Sequence, residues 1–268
     1  MKVLGCFKIV PDLDLVVEED WTEKEQLKID TGYVKLVWNC FDESALEMML
    51  RLSDLSEGFD VVYELSALTV GKQKHESFLK TLYALGFKHG IRICNEEELL
   101  FDSEQIAEGI ANYVKTRETQ DVIVTGIQSS DGSNRKTPYL IAEKLGWPCI
   151  TQVIGMETVD EMTLKVTCQI PGGELTQTVK TPCVLAVGNA SCAYLRIPTL
   201  KDKMKLGKQP IEQISPESLG MKTVREHAKI VALHSVERKR NTIVISGETP
   251  KEKAESLYKE YLKGRIEE

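Results

Sequence analysis

The residues best placed to do chemistry lie between positions 121 and 148, in DVIVTGIQSSDGSNRKTPYLIAEKLGWP. A short apolar run, Val122-Ile123-Val124, suits a buried parallel strand. Gly126 and Gln128 lead into a polar loop, residues 129–137, which holds Asp131-Gly132, Ser133-Asn134, the basic pair Arg135-Lys136 and Thr137. A helix follows, with Leu140, Ile141 and Leu145 on one broad face. Pro138 stands in its first turn, where a missing N–H costs nothing, and Gly146 and Pro148 stop it. A strand, a loop containing Gly and Ser, and a helix start make a physical anion site. The first N–H groups of the helix lack partners, and Arg135 and Lys136 add positive charge. The spacing matches neither the P-loop nor the GxGxxG dinucleotide pattern, and an ordinary strand-to-helix connection with solvated charges reads the same way.

The elements that must position this loop are regular. Residues 3–10 form a first strand, ended by Pro11-Asp12. The acidic connection that follows contains Leu27, Ile29 and Val34 to Val37 around Thr31-Gly32, which predicts a small hairpin. Asn39 or Asp42 can cap the next helix, whose core face carries Leu46, Met49 and Leu50. A strand over 61–70 closes at Gly71, a helix over 75–85 at Gly86, and residues 91–94 form a third strand. Asp102-Ser103 can cap a helix carrying Ile106, Ile110 and Val114. This β-α-β-α order predicts an α/β fold, an open, mostly parallel sheet with helices on both faces. In such sheets ligands bind beyond the carboxyl ends of the strands, here near Lys8, Val70, Gln128 and the loop at Asn39. After Pro148, strand-like segments at 150–156, 163–170, 175–179 and 184–187 predict added antiparallel strands. From Asn189 the chain loosens into an extended C-terminal tail, basic at first. It ends in a helix over 250–262 with Ala254, Leu257, Tyr258 and Tyr261 on one side.

Composition narrows the function. The 268 residues allow one large or two small domains, and a net charge of -7 leaves no basic excess for a nucleic-acid partner. No apolar run approaches the roughly 20 residues of a membrane span, and the N-terminus reads as a strand, not a signal peptide. The seven cysteines are odd in number and form no CxxC. They read as reduced, mostly buried thiols of a cytoplasmic protein. His75, His89, His227 and His234 have no ligand spacing to cysteines or acids, which predicts no metal site, and no catalytic triad can be assembled.

Five ordered segments resemble one family. CFKIVPD is similar to C-V-K-x-V-P-D, and NCFDESALE to N-P-F-D-E-x-A-L-E. LYALGFKHGIRI is similar to L-A-M-G-A-D-R-A-V. TGIQSSDGSNRKTPYLIAEKLGWPCITQV resembles G-x-Q-A-I-D-G-D-T-x-Q-V-G-P-x-I-A-E-x-L-G-x-P-x-x-T, and LRIPTLKDKMKLGKQPI resembles P-R-Y-P-S-L-x-x-I-M-K-A-K-K-K-P-I. The chain thus resembles the beta (small) subunit of electron-transfer flavoproteins over nearly its whole length, as a divergent member.

The resemblance implies a Rossmann-like, adenine-nucleotide alpha-hydrolase-like domain over residues 1–188. Residues 189–268 would be a partner-recognition segment and tail packing on a larger alpha subunit. It implies an electron carrier more than a stand-alone enzyme, with no residue acting as acid, base or nucleophile. FAD would lie mainly on the alpha subunit of the heterodimer, serving a flavin dehydrogenase and a second redox partner, and this chain would hold AMP. Carried over by position, adenosine would meet Cys6, the turn Asn39, Cys40, Phe41 and Asp42, and Val70. The phosphate would meet Gly126, Gln128 and residues 131–137, and Leu200 matches the apolar residue that holds dehydrogenase partners. Cys40 replaces the usual Pro, Ser133-Asn134 replaces Asp-Thr, Lys136 replaces Gln and Pro138 replaces Gly. These changes make the loop more positive. The N-E-P-R before the recognition segment is absent. Two other readings fit the same residues: an electron-bifurcating subunit holding its own FAD and oxidising NADH, and a nucleotide-binding regulatory module without a redox role.

Overall fold

Side chains alternate across extended segments, and that alternation sorts this chain into layers. The computed structural model describes residues 1–22, 27, 29–58, 60–96, 99–221, 230–233 and 242–266. In it β1 (Lys2–Cys6) sends Val3 to one face of a sheet and Leu4 and Cys6 to the other. β4 (Glu64–Gly71) places Leu65 and Ala67 against Leu68, and β6 (Val122–Gly126) places Val122 and Val124 against Ile123. Both faces are buried, so these strands read as continuous apolar runs in the sequence. Helices α1 (Cys40–Asp54) and α2 (Glu76–Ala84) cover the Val3 face. α3 (Ser103–Thr116) and α4 (Thr137–Leu145) cover the Leu4 face. The Asp102 carboxylate caps α3 by accepting from the Gln105 N–H at 3.0 Å, and Gly146, at φ 70°, ends α4 in the left-handed conformation that glycine tolerates best.

The remaining strands are β5 (His89–Cys94), β7 (Cys149–Asp160), β8 (Thr163–Ile170), β9 (Gly173–Lys180), β10 (Cys183–Val187) and β11 (Glu212–Ile214). They complete a nine-stranded sheet in the order β11-β5-β4-β1-β6-β10-β7-β8-β9. All pairs from β11 to β7 are parallel, and β7-β8 and β8-β9 are antiparallel. The architecture is α/β, mostly parallel, with helices on both faces.

Three expectations need correction. β10 is parallel, not antiparallel: all five of its residues are buried, which places it between β6 and β7 and not at a hairpin edge. Among the described residues the hairpin expected around Thr31-Gly32 is not formed. Instead β3 (Leu36–Trp38) pairs antiparallel with β2 (Ile9–Pro11) in a separate two-stranded sheet. The first strand, expected as one piece over 3–10, is therefore two. It breaks at Lys8, whose N–H turns to the Asp42 carboxylate at 2.9 Å.

The chain divides into a unit Met1–Val231 and a unit Ala232–Glu268. Within the first, the segment after Asn189 is tied back at several points. Arg196 donates from Nε and its backbone N–H to Glu47 Oε2 at 3.0 and 3.1 Å, and from Nη1 to Asp54 at 2.7 Å. Helix α5 (Leu200–Leu206) lies against α2, and β11 extends the sheet beyond β5. The Tyr83 hydroxyl donates to the Pro210 carbonyl at 2.7 Å and accepts from Gly90 N–H at 2.8 Å. The second unit contains α6 (Pro250–Leu257), a π-helical turn over Tyr258–Leu262, and α7 (Lys263–Ile266). Thr249 caps α6, and Leu257, Tyr258 and Tyr261 are exposed. His227 and His234 lie outside the described residues.

Glu47 is 4% exposed and accepts from both Arg51 and Arg196. Replacing it (Glu47→Ala) leaves Arg196 free to reach water, so the loss falls below that of a fully buried pair. We expect about 2 kcal/mol of destabilisation in urea unfolding, with faster amide exchange at residues 195–197.

Candidate nucleotide site at the strand ends

A cavity of about 350 Å³ opens beyond the carboxyl ends of β1, β4 and β6. Its position follows from topology, because β1 lies between β4 and β6 and the connections leaving these strands diverge there. Two buried polar side chains hold its walls together. Asp42, 6% exposed, accepts from Lys8 N–H at 2.9 Å, from Gly126 N–H at 2.7 Å and from Asn39 Nδ2 at 2.9 Å. Asn39, 1% exposed, also donates to the Gln128 carbonyl at 2.7 Å and accepts from Ser130 N–H at 3.1 Å. Neither side chain caps α1. The capping reading of Asn39 and Asp42 is thereby corrected: both reach across to β1, β6 and the loop, and burial selects those partners over the helix's own first turn. Gly126 permits this approach, since a Cβ there would lie 2.5 Å from Asp42 Oδ1.

The loop at residues 128–137 is fixed at further points. Lys8 Nζ pairs with Asp131 at 2.7 Å, and Asn134 Nδ2 donates to the Leu100 carbonyl at 2.8 Å. Arg135 donates from Nε to Gln128 Oε1. Ser133 and Arg135 adopt left-handed backbone, φ 48° and 56°, a conformation costly for residues with a Cβ. Gly132 passes close to Leu100, where a Cβ would meet its carbonyl at 2.9 Å. Helix α4 begins at Thr137 with Lys136 as its N-cap residue, so its first N–H groups and two cations open toward the same space.

Of the residues singled out in the sequence, Cys6, Asn39, Asp42, Val70, Gly126 and Gln128 line the cavity, as do Asp131, Asn134, Arg135, Lys136 and Thr137. Cys40, Phe41, Gly132 and Ser133 adjoin it in the chain without lining it, and Leu200 lies elsewhere, 75% exposed on α5. The lining also includes Lys72, Lys74 and His75, with Leu100, Ile106 and Ile110 of the α3 side, which sequence reasoning did not assign to the site. The Lys-x-Lys-His run directly after Gly71, at a strand's carboxyl end, was the available signal.

Charge is concentrated here. The cavity is lined by Lys8, Lys72, Lys74, Arg135 and Lys136 against Asp42 and Asp131, in a chain of net charge -7. Burial raises the Asp42 carboxyl from 3.8 to about 6, against the pull of the N–H donors around it. Burial, then Lys74, Lys72 and Arg92, lowers His75 to about 4, which keeps the imidazole neutral at physiological pH. Its Nδ1 is buried without a partner. The Cys6 thiol is pushed up by burial and by Asp42, which makes it inert. Among the described residues no group of His, Cys, Asp and Glu converges as metal ligands, and no helix is long and apolar enough to cross a membrane.

Residues 26–219 match the family described as "Electron transfer flavoprotein domain". Over its full length the chain is 30% identical to YgcR of Escherichia coli (strain K12), covering 100% of that protein, which is described provisionally as an electron transfer flavoprotein subunit. It is 26% identical to the electron transfer flavoprotein subunit beta of Dictyostelium discoideum, over 83% of this chain and 84% of that one. It is 27% identical to the acryloyl-CoA reductase electron transfer subunit gamma of Anaerotignum propionicum, over 82% and 79%. The chain belongs to the electron transfer flavoprotein family, as a divergent member of its beta-subunit branch.

The raised Asp42 pKa makes stability depend on pH. The folded protein holds this proton more tightly than the unfolded chain, so the contribution is complete below 3.8 and is lost as pH rises through about 6. Against Asp42→Asn, which cannot titrate, the wild type should lose about 2 kcal/mol between pH 4 and pH 6 and level off by about pH 7. Urea unfolding of both proteins across that range measures the difference.

Proposed function

We propose that the chain is the nucleotide-holding small subunit of a heterodimeric electron carrier, which moves electrons by way of FAD between a flavin dehydrogenase and a second redox partner. Membership of an electron-transfer family supports the class. The finer reading rests on one observation: a cationic cavity at the strand ends, in an acidic chain, whose loop is fixed by its own hydrogen bonds. That donor set suits a phosphate. We assign the cavity to AMP. Its adenosine lies toward Cys6, residues 39–42 and Val70, and its phosphate toward residues 126–137, with Arg135 and Lys136 as the charged partners. Asp131 does not repel it, because Lys8 already neutralises that carboxylate.

FAD, held mainly by an alpha subunit, supplies the electron chemistry. This chain's residues bind, orient and hold charge; none is given an acid, base or nucleophile role. We read residues 189–268 as the partner-recognition segment and tail. Leu200, with exposed Ile197 and Met204 nearby in sequence, is the contact for the dehydrogenase. Seven free cysteines support a cytoplasmic location. One feature favours a second reading, a bifurcating subunit whose site holds its own FAD and meets NADH. The cavity lining also includes the apolar residues Pro11, Val34 and Leu36, which AMP does not need.

The test is to purify the chain with its alpha subunit, denature the complex and count the released nucleotides. One FAD and one AMP support the carrier, two FAD support bifurcation, and absence of flavin refutes both. In the same complex Lys136→Ala should weaken nucleotide retention about tenfold, as the loss of one charge-assisted contact. Leu200→Ala should slow electron transfer from the dehydrogenase without changing nucleotide content.

A further inference from the structure

The cavity has a second cationic end that a 5′-phosphate does not use. Lys72, Lys74 and His75 follow β4, while the phosphate loop follows β6, and β1 separates the two. Two strand spacings put these ends about 10 Å apart. Unlike Lys8, which pairs with Asp131, neither Lys72 nor Lys74 has an ion pair among the described residues. The charge of Glu96 acts on His75 from outside the turn.

The backbone that carries these groups is held firmly. The Gly71 carbonyl accepts from Arg92 Nη1 at 3.2 Å and from Asn95 N–H at 3.2 Å, and Arg92, 5% exposed, pairs with Glu76 at 2.9 Å. His75 N–H donates to the Lys72 carbonyl at 3.0 Å, closing the turn that sets Lys72 and Lys74 on one rim. The imidazole lies against Gly71, where a Cβ would stand 2.3 Å from Nδ1, so glycine at 71 is what lets His75 form the wall.

We propose that Lys72, Lys74 and His75 form a second anion subsite, and that this chain selects an adenosine 5′-phosphate carrying a second phosphate on its ribose. The proposal rests on the reading of the cavity as an adenine-nucleotide site with its 5′-phosphate at residues 126–137. A longer 5′-phosphate chain does not reach the rim, because it grows away from the adenosine, and the rim lies on the adenosine side beside Val70. A group on the ribose does reach it, since lysine side chains span several ångströms and present a mobile point charge. An anion there also relieves the mutual repulsion of two unpaired lysines on one turn.

The test is calorimetric titration of the full-length chain, freed of bound nucleotide, with adenosine 5′-phosphate, adenosine 2′,5′-bisphosphate and adenosine 3′,5′-bisphosphate. At low salt one bisphosphate should bind about tenfold or more tighter than the 5′-phosphate, and the tighter isomer identifies the ribose position. In the double variant Lys72→Gln/Lys74→Gln that advantage should vanish, leaving the three ligands equal in affinity but still saturably bound, which also shows that the variant is folded. Equal affinity for all three overturns this proposal and leaves the nucleotide site standing. An advantage that survives in the double variant removes these lysines from it. Failure of all three to bind overturns both the subsite and the reading it rests on.

Discussion

The structure depends most on one buried carboxylate. Asp42 accepts hydrogen bonds from the backbone at the ends of β1 and β6 and from Asn39, which in turn holds two backbone groups of the loop after β6. Parallel strands need no contact between the chain segments that leave them, so without such a device these ends would diverge independently. Burying an acid opposes folding, and its raised pKa records that opposition. Three N–H donors offset much of it. The result is a loop whose geometry belongs to the folded protein and needs no ligand to impose it, which lowers the ordering entropy lost on binding.

Local conformation and charge follow from that anchoring. Ser133 and Arg135 stay in left-handed backbone although each costs about 1–2 kcal/mol relative to ordinary conformations. The loop is held before them at Asp131 by Lys8 and between them at Asn134 by Leu100. With Asp131 neutralised by Lys8, the cations of the cavity outnumber its unpaired acids despite the acidic chain. The local field, not the net charge, is what an anion entering the site meets.

The sequence made the apolar strands and the β-α-β-α order legible, because two-sided burial writes an unbroken run such as Val122-Ile123-Val124. It made the start of α3 legible through Asp102, a cap that needs only neighbours three residues away. What depended on distant partners was not legible. Asn39 and Asp42 have the composition of a helix start, and only the fold reveals that their oxygens serve residues about 85 to 90 positions away. Strand direction at β10 is likewise set by neighbours on both sides, not by its own five residues. β11 is three residues long and pairs at an edge, too short for any period to register. In the candidate site, the phosphate-loop residues are legible from a local pattern plus resemblance, whereas Lys72, Lys74 and His75 are not. Their meaning lies in facing a cavity built by other strands.

β11 is linked to the cavity rim by a short relay. Gln213 donates to Glu76 at 3.0 Å, Glu76 pairs with Arg92, and Arg92 holds the Gly71 carbonyl. Gln213 follows Gly71 by more than a hundred residues, so during synthesis the strands that shape the crevice leave the ribosome long before the group that completes its rim. A nascent chain can therefore hold the Gly71 carbonyl through Arg92 and Asn95 early, and only the outer link from Gln213 to Glu76 waits for the later segment.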